Sequence, residues 1–110
     1  MPLEAERLLN QMVTAAAGPL RAGGPKVLSY AQTEFSKIAQ TIASIEAQTV
    51  TGSLTQDEAS LLLDMQKNAT GAVLAAVEGM SLILVEQAIN AALKAIQGVV
   101  NAAVHFTLIR

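Results

Sequence analysis

Residues 82–104 read LILVEQAINAALKAIQGVVNAAV. The stretch is almost wholly aliphatic and small, yet a polar side chain returns every three or four positions. At 100° per residue, Gln87, Asn90, Lys94, Gln97, Asn101 and His105 fall within about 80° of one another, and Glu86 borders that arc. The remaining circumference is apolar or small. A helix lying on a monomer's surface shows a wider polar face, so a stripe this narrow implies burial on most sides. A bilayer, a core or a contact between subunits could supply that burial.

The bilayer fits least well. Glu78, Glu86 and Lys94 recur every eight residues, and the longest run without charge, Ala95–Ile109, contains Gln97, Asn101 and His105. A span needs ~20 apolar residues, and a charge at its centre costs roughly 2.5–3.5 kcal/mol. Insertion of the 73–109 region as an oligomer, with the stripe turned to a wet lumen, is therefore the alternative reading.

Working backward, a second polar band (Lys67, Thr70, Glu78 and Ser81) lies roughly opposite the first, and the phase changes across EGMSLILV, residues 78–85. A break near Gly79 would give a fourth helix that folds back. A lone glycine costs only ~1 kcal/mol against alanine, so the segment from Gln56 to the C-terminal end is read as continuous or gently kinked. Such a helix has about fifty residues and a length on the order of 80 Å.

Before it, Leu28, Ala31, Phe35, Ile38, Ile42 and Ile45 form a heptad-like seam in a helix over 26–51, with Gln32, Lys37, Gln40 and Glu46 off the seam and free to face water. Gly52 suits a C-terminal cap. Thr55, followed three residues later by Glu58, makes a capping box ahead of an apolar run. These signals predict an antiparallel hairpin with a short loop. The hairpin's first helix would cover only half of a fifty-residue partner.

The N-terminal part reads as a helix over 2–17, with Glu4 and Glu6 in the favourable first turn. It is followed by a linker, GPLRAGGP, residues 18–25, whose three glycines and two prolines interrupt helical structure. Residues 26–110 carry the hairpin and the long amphipathic helix. The whole is one domain, all-α, a helical hairpin or bundle with a long C-terminal helix, and oligomeric.

Composition supports oligomerisation. Of the 110 residues, 52% are hydrophobic and only 15% charged, against about 45–50% and about 25% in ordinary soluble domains. The excess apolar surface calls for a partner. The expected subunit contact is Leu82, Val85, Ile89, Leu93, Ile96, Val100 and Val104. Glu86, Gln87, Asn90, Lys94, Gln97, Asn101 and His105 would form a register-setting polar stripe, and Glu86 would meet Lys94 of a neighbouring copy.

The chemistry-bearing residues are few. His105 is the one histidine and there is no cysteine, so no metal site, cofactor or catalytic residue is expected. Asp57 and Glu58 belong to a helix start. Seven scattered basic residues and three aromatics argue against nucleic acid. The expected function is that of a non-enzymatic, self-assembling helical protein, a subunit of an oligomer, filament or shell whose partner is itself, with no small-molecule substrate. The acidic N-terminal stretch does not read as a signal peptide. Cytoplasmic synthesis is expected, signal-independent export is compatible with it, and the compartment itself is unassigned.

Overall fold

The computed structural model of this protein describes residues 3–22, 25–76 and 79–110. Four helices are present among them: α1 (Ala5–Ala22), α2 (Pro25–Val50), α3 (Gln56–Ala76) and α4 (Leu82–Val104). There is no strand among the described residues.

Short connections make neighbouring helices antiparallel. The start of α1 lies beside the end of α2, where the Leu3 N–H donates to Glu46 Oε1 at 2.9 Å. The same start lies beside the end of α4, since Leu3, Arg7 and Gln11 share a groove with Val99 and Ala102. The end of α3 meets the start of α4, because a Cβ built on Gly71 would lie 3.6 Å from Val85 Cγ1. The result is an up-down-up-down bundle closed by α1 against α4. Its long axis, 41 Å, matches the 26-residue α2, about 39 Å at 1.5 Å per residue.

α2 follows its sequence pattern. Ala31, Phe35, Ile38, Ile42 and Ile45 are buried, and Leu28 is half-buried at the margin. Its end is a Schellman motif: the Ser53 N–H donates to the Gln48 carbonyl and the Gly52 N–H to the Thr49 carbonyl. Gly52 takes the left-handed φ of 77° that this geometry requires. The capping box then starts α3. The Glu58 N–H donates to Thr55 Oγ1 at 3.1 Å, and the Thr55 N–H donates to Glu58 Oε1 at 3.0 Å. The Thr55 backbone N–H, and after it the Thr55 side chain, hold the exposed Glu58 carboxyl below the ordinary glutamate range.

Four expectations are corrected. First, the helix over 2–17 begins at Ala5 and runs through Gly18 and Pro19 to Ala22. The linker over 18–25 shrinks accordingly, and Pro2, Gly23 and Gly24 lie outside the described residues. Leu8, Met12, Ala16 and Leu20 form one buried row. Burying Leu20 is worth roughly 1.5–3 kcal/mol, comparable to the ~3 kcal/mol cost of an internal proline. The carbonyl that Pro19 leaves without a partner belongs to Ala15, which is exposed and can be served by water.

Second, the segment after Gln56 is two helices. Gly79 adopts a φ of 68°, and the Met80 N–H returns to the Leu74 carbonyl. Ser81 then caps α4, accepting the Leu84 N–H at 3.3 Å. A chain that turns here covers its own apolar face, so the uncovered half of an 80 Å rod does not exist. Third, the polar band of Lys67, Thr70, Glu78 and Ser81 is not one continuous face of a single helix: Thr70 is fully buried in α3, and Ser81 is the cap of α4. Glu78, placed in the same band, lies outside the described residues. Fourth, Glu46 is buried. Its carboxylate serves an N–H at the entry to α1, where the helix dipole favours negative charge.

Candidate interaction surface

The residues expected to join subunits divide sharply. Val85, Ile89, Leu93, Ile96, Val100 and Val104 are all buried within the chain's own bundle. They are therefore already covered: α4 packs chiefly on α1, and Val85 and Ile89 lie against Gly71 of α3. Leu82 alone among the seven is open, 72% exposed in the first turn of α4. The assignment of this row as an uncovered contact face is corrected on that ground: folding back at Gly79 gave it an intrachain partner.

The polar stripe also divides. Glu86, Gln87, Asn90 and Lys94 face solvent, and neither Glu86 nor Lys94 takes part in an ion pair among the described residues. Gln97 and Asn101 instead grip the chain beyond α4. Asn101 Oδ1 accepts both the Leu108 and the Ile109 N–H at 2.9 Å, and its Nδ2 donates to the Ile109 carbonyl at 2.9 Å. Gln97 Nε2 donates to the same carbonyl at 3.1 Å. His105 makes the turn possible. It adopts a left-handed φ of 66° and donates its N–H to the Asn101 carbonyl, a conformation that histidine enters more readily than most side chains. Leu108 and Ile109 are thereby buried against the bundle.

Large apolar side chains remain exposed elsewhere. On α3, Leu61, Leu62 and Met65 are 60%, 39% and 59% exposed. Ala69, Ala72 and Ala76 continue the same face toward the C-terminal end of α3 and are also exposed. With Leu61 at zero, these six residues fall within about 100° of helical arc. Where α3 ends, Leu82 and Ile83 of α4 add two more exposed aliphatics. The opposite face of α3, Ala59, Leu63, Thr70 and Leu74, is the one that enters the core.

Among the described residues no three of His, Cys, Asp and Glu come together as metal ligands would. Comparisons with family models, with curated proteins and with solved structures gave no match to this chain. The surface thus stands on its own chemistry. Sequence reading had missed it because α3 carries apolar residues on two faces, and periodicity does not say which face its neighbours will cover.

Proposed function

We propose that this is a non-enzymatic helical-bundle protein whose role is self-association through the outward face of α3. The supporting observation is the run of exposed apolar side chains Leu61, Leu62 and Met65, which continues into exposed Ala69, Ala72 and Ala76. A soluble monomer rarely leaves such a row to water. Small residues at one end let a second helix approach closely, and larger ones at the other end fill the gap. Two copies related by a two-fold axis would set the Leu61 end of one α3 against the Ala76 end of the other, so that large side chains meet small ones.

Light scattering after size exclusion tests this. The wild-type chain is expected to run at twice its 11.4 kDa mass or more. The double variant Leu61→Glu, Met65→Glu is expected to run as a folded monomer with unchanged helical circular dichroism. A wild-type monomer at every concentration, or a double variant with unchanged mass, refutes the proposal.

A second reading, insertion of the 73–109 region into lipid, rests on α4, the described helix long and apolar enough to cross a membrane. It requires Ile96 and Val100 to leave a core in which both are fully buried. Flotation with liposomes and dye release separate the two readings: insertion gives both signals, and association through α3 gives neither.

A further inference from the structure

Of the four seams between neighbouring helices, the one between α3 and α4 is the least packed. The tail gripped by Asn101 lies along this seam, and a cleft of about 460 Å³ remains beside it. Its apolar lining is Leu63 of α3, Leu93 of α4 and Leu108 and Ile109 of the tail. Three cations from three different elements line the same cleft: Lys67 of α3, Lys94 of α4 and Arg110 of the tail. Asp64 is the one carboxylate among them.

This concentration runs against the composition. The chain carries seven basic residues and a net charge of -2, yet three of the seven meet at one cleft. Among the described residues none of the three takes part in an ion pair. The ion pairs present are Arg7 with Glu4 and Lys37 with Glu34, and neither touches the cleft. Like charges gathered over low-dielectric walls focus a positive potential into the cavity. An anion placed there relieves their mutual repulsion, so the fold and the ligand stabilise each other.

We infer that this cleft binds a small organic dianion, a phosphate monoester or a dicarboxylate on an apolar frame. The lining side chains, three cationic against one carboxylate, favour an anionic head group, and a dianion engages more than one of the cations. Asn90 and Gln97 line the same space and add amide donors. The leucine floor takes the apolar frame. The volume lies within the roughly 300–1,000 Å³ typical of small-molecule sites. Because the tail forms one wall, occupancy also holds the tail in place.

Thermal unfolding and amide chemical-shift titration with four probes test this: phenyl phosphate, phthalate, inorganic phosphate and benzyl alcohol. At millimolar concentration at least one of the two organic dianions is expected to raise the melting temperature and to shift the amides of residues 63–67, 90–97 and 108–110. Which of the two binds identifies the head group. Inorganic phosphate, which lacks the frame, is expected to bind about tenfold more weakly. Benzyl alcohol is expected not to bind. Lys67→Gln and Lys94→Gln are each expected to weaken binding about fivefold, and both together to abolish it. Neither lysine is buried, so these variants are expected to keep the wild-type circular dichroism. No binding by either organic dianion overturns the inference. Equal binding to the double variant, or benzyl alcohol binding as well as the dianions, overturns it too.

Discussion

α4 and α3 pose the same problem and solve it differently. Among the 23 residues of α4, ten are large aliphatics, of which only Leu82, Ile83 and Val99 are strongly exposed. Among the 21 residues of α3, six are large and apolar, and Leu61, Leu62 and Met65 are exposed. The helix richer in apolar residues is the better covered. What decides exposure is position in the ring. α4 packs chiefly on α1 and reaches α2 across the bundle, whereas α3 packs well on α2 alone. The number of apolar side chains in a helix therefore says less about an open surface than the number of its neighbours.

The comparison is broken most directly by shortening one side chain on each helix. Ile96 is fully buried, and Ile96→Ala is expected to cost roughly 2–5 kcal/mol of stability, including the cavity left behind. Leu61 is 60% exposed, and Leu61→Ala is expected to change the stability of the single chain by no more than about 0.5 kcal/mol. Urea unfolding at low protein concentration measures both. Equal losses would mean that α3 is as covered as α4, which removes the basis for an interface there.

Asn101 comes next, because it gives α4 cover that α3 lacks. Its side chain makes three hydrogen bonds to the tail. Asn101→Ala is expected to release Leu108 and Ile109 and to destabilise the chain by about 2 kcal/mol. Hydrogen exchange should accelerate first at the Ile109 amide. If that amide keeps its protection, the tail is held by burial of its side chains rather than by the amide clamp.

Much of this architecture can be read from residues, and the unreadable parts share a cause. The α2–α3 hairpin is written in local chemistry: the seam of Phe35, Ile38, Ile42 and Ile45, then Gly52, then Thr55 with Glu58. The break before α4 left weaker traces. Ser81 caps α4 through its hydroxyl, but residue 84 is a leucine, so the reciprocal half of a capping box is missing. The change of polar phase over 78–85 pointed to the turn, and the small penalty for one glycine argued the other way. Burial of Leu20 beyond Pro19, the tail on Asn101 and the open face of α3 depend on which elements meet, and that is tertiary information. The same holds for the cationic cleft, since Lys67, Lys94 and Arg110 come from three separate stretches of chain.

A smaller gain is expected inside α3. Thr70 is fully buried, and its hydroxyl has no hydrogen-bond partner among the described residues. An unpaired buried hydroxyl is unfavourable, and valine has nearly the same shape without it. Thr70→Val is expected to stabilise the chain by about 1 kcal/mol, read as a higher urea midpoint at unchanged slope. Loss of stability would show that the hydroxyl finds a partner in solution, for instance a carbonyl one turn earlier on α3.

A similarly small effect is expected at the clearest sequence signal. Thr55 and Glu58 are both exposed, so Thr55→Ala is expected to cost only about 1 kcal/mol, the usual worth of an N-cap. Glu58 adds a dependence on pH. Its folded-state carboxyl titrates below the ordinary glutamate range, chiefly because the Thr55 backbone N–H donates to it. A group depressed in this way contributes stability above its unfolded value and loses it as pH falls through the folded value. The melting temperature of the wild type should therefore decline on the acid side of the ordinary glutamate range. Glu58→Gln keeps the reciprocal hydrogen bonds, because glutamine also completes a capping box, but it removes the titration. That variant should show a shallower acid decline with little change near neutrality. An identical acid limb in both proteins would place the pH dependence elsewhere. The contrast with Ile96 has a physical basis. A capping box is legible because its partners are three residues apart, and it is weak because water competes for every one of its groups. The core contacts of α4 are strong because water is absent, and that absence is created by three other helices.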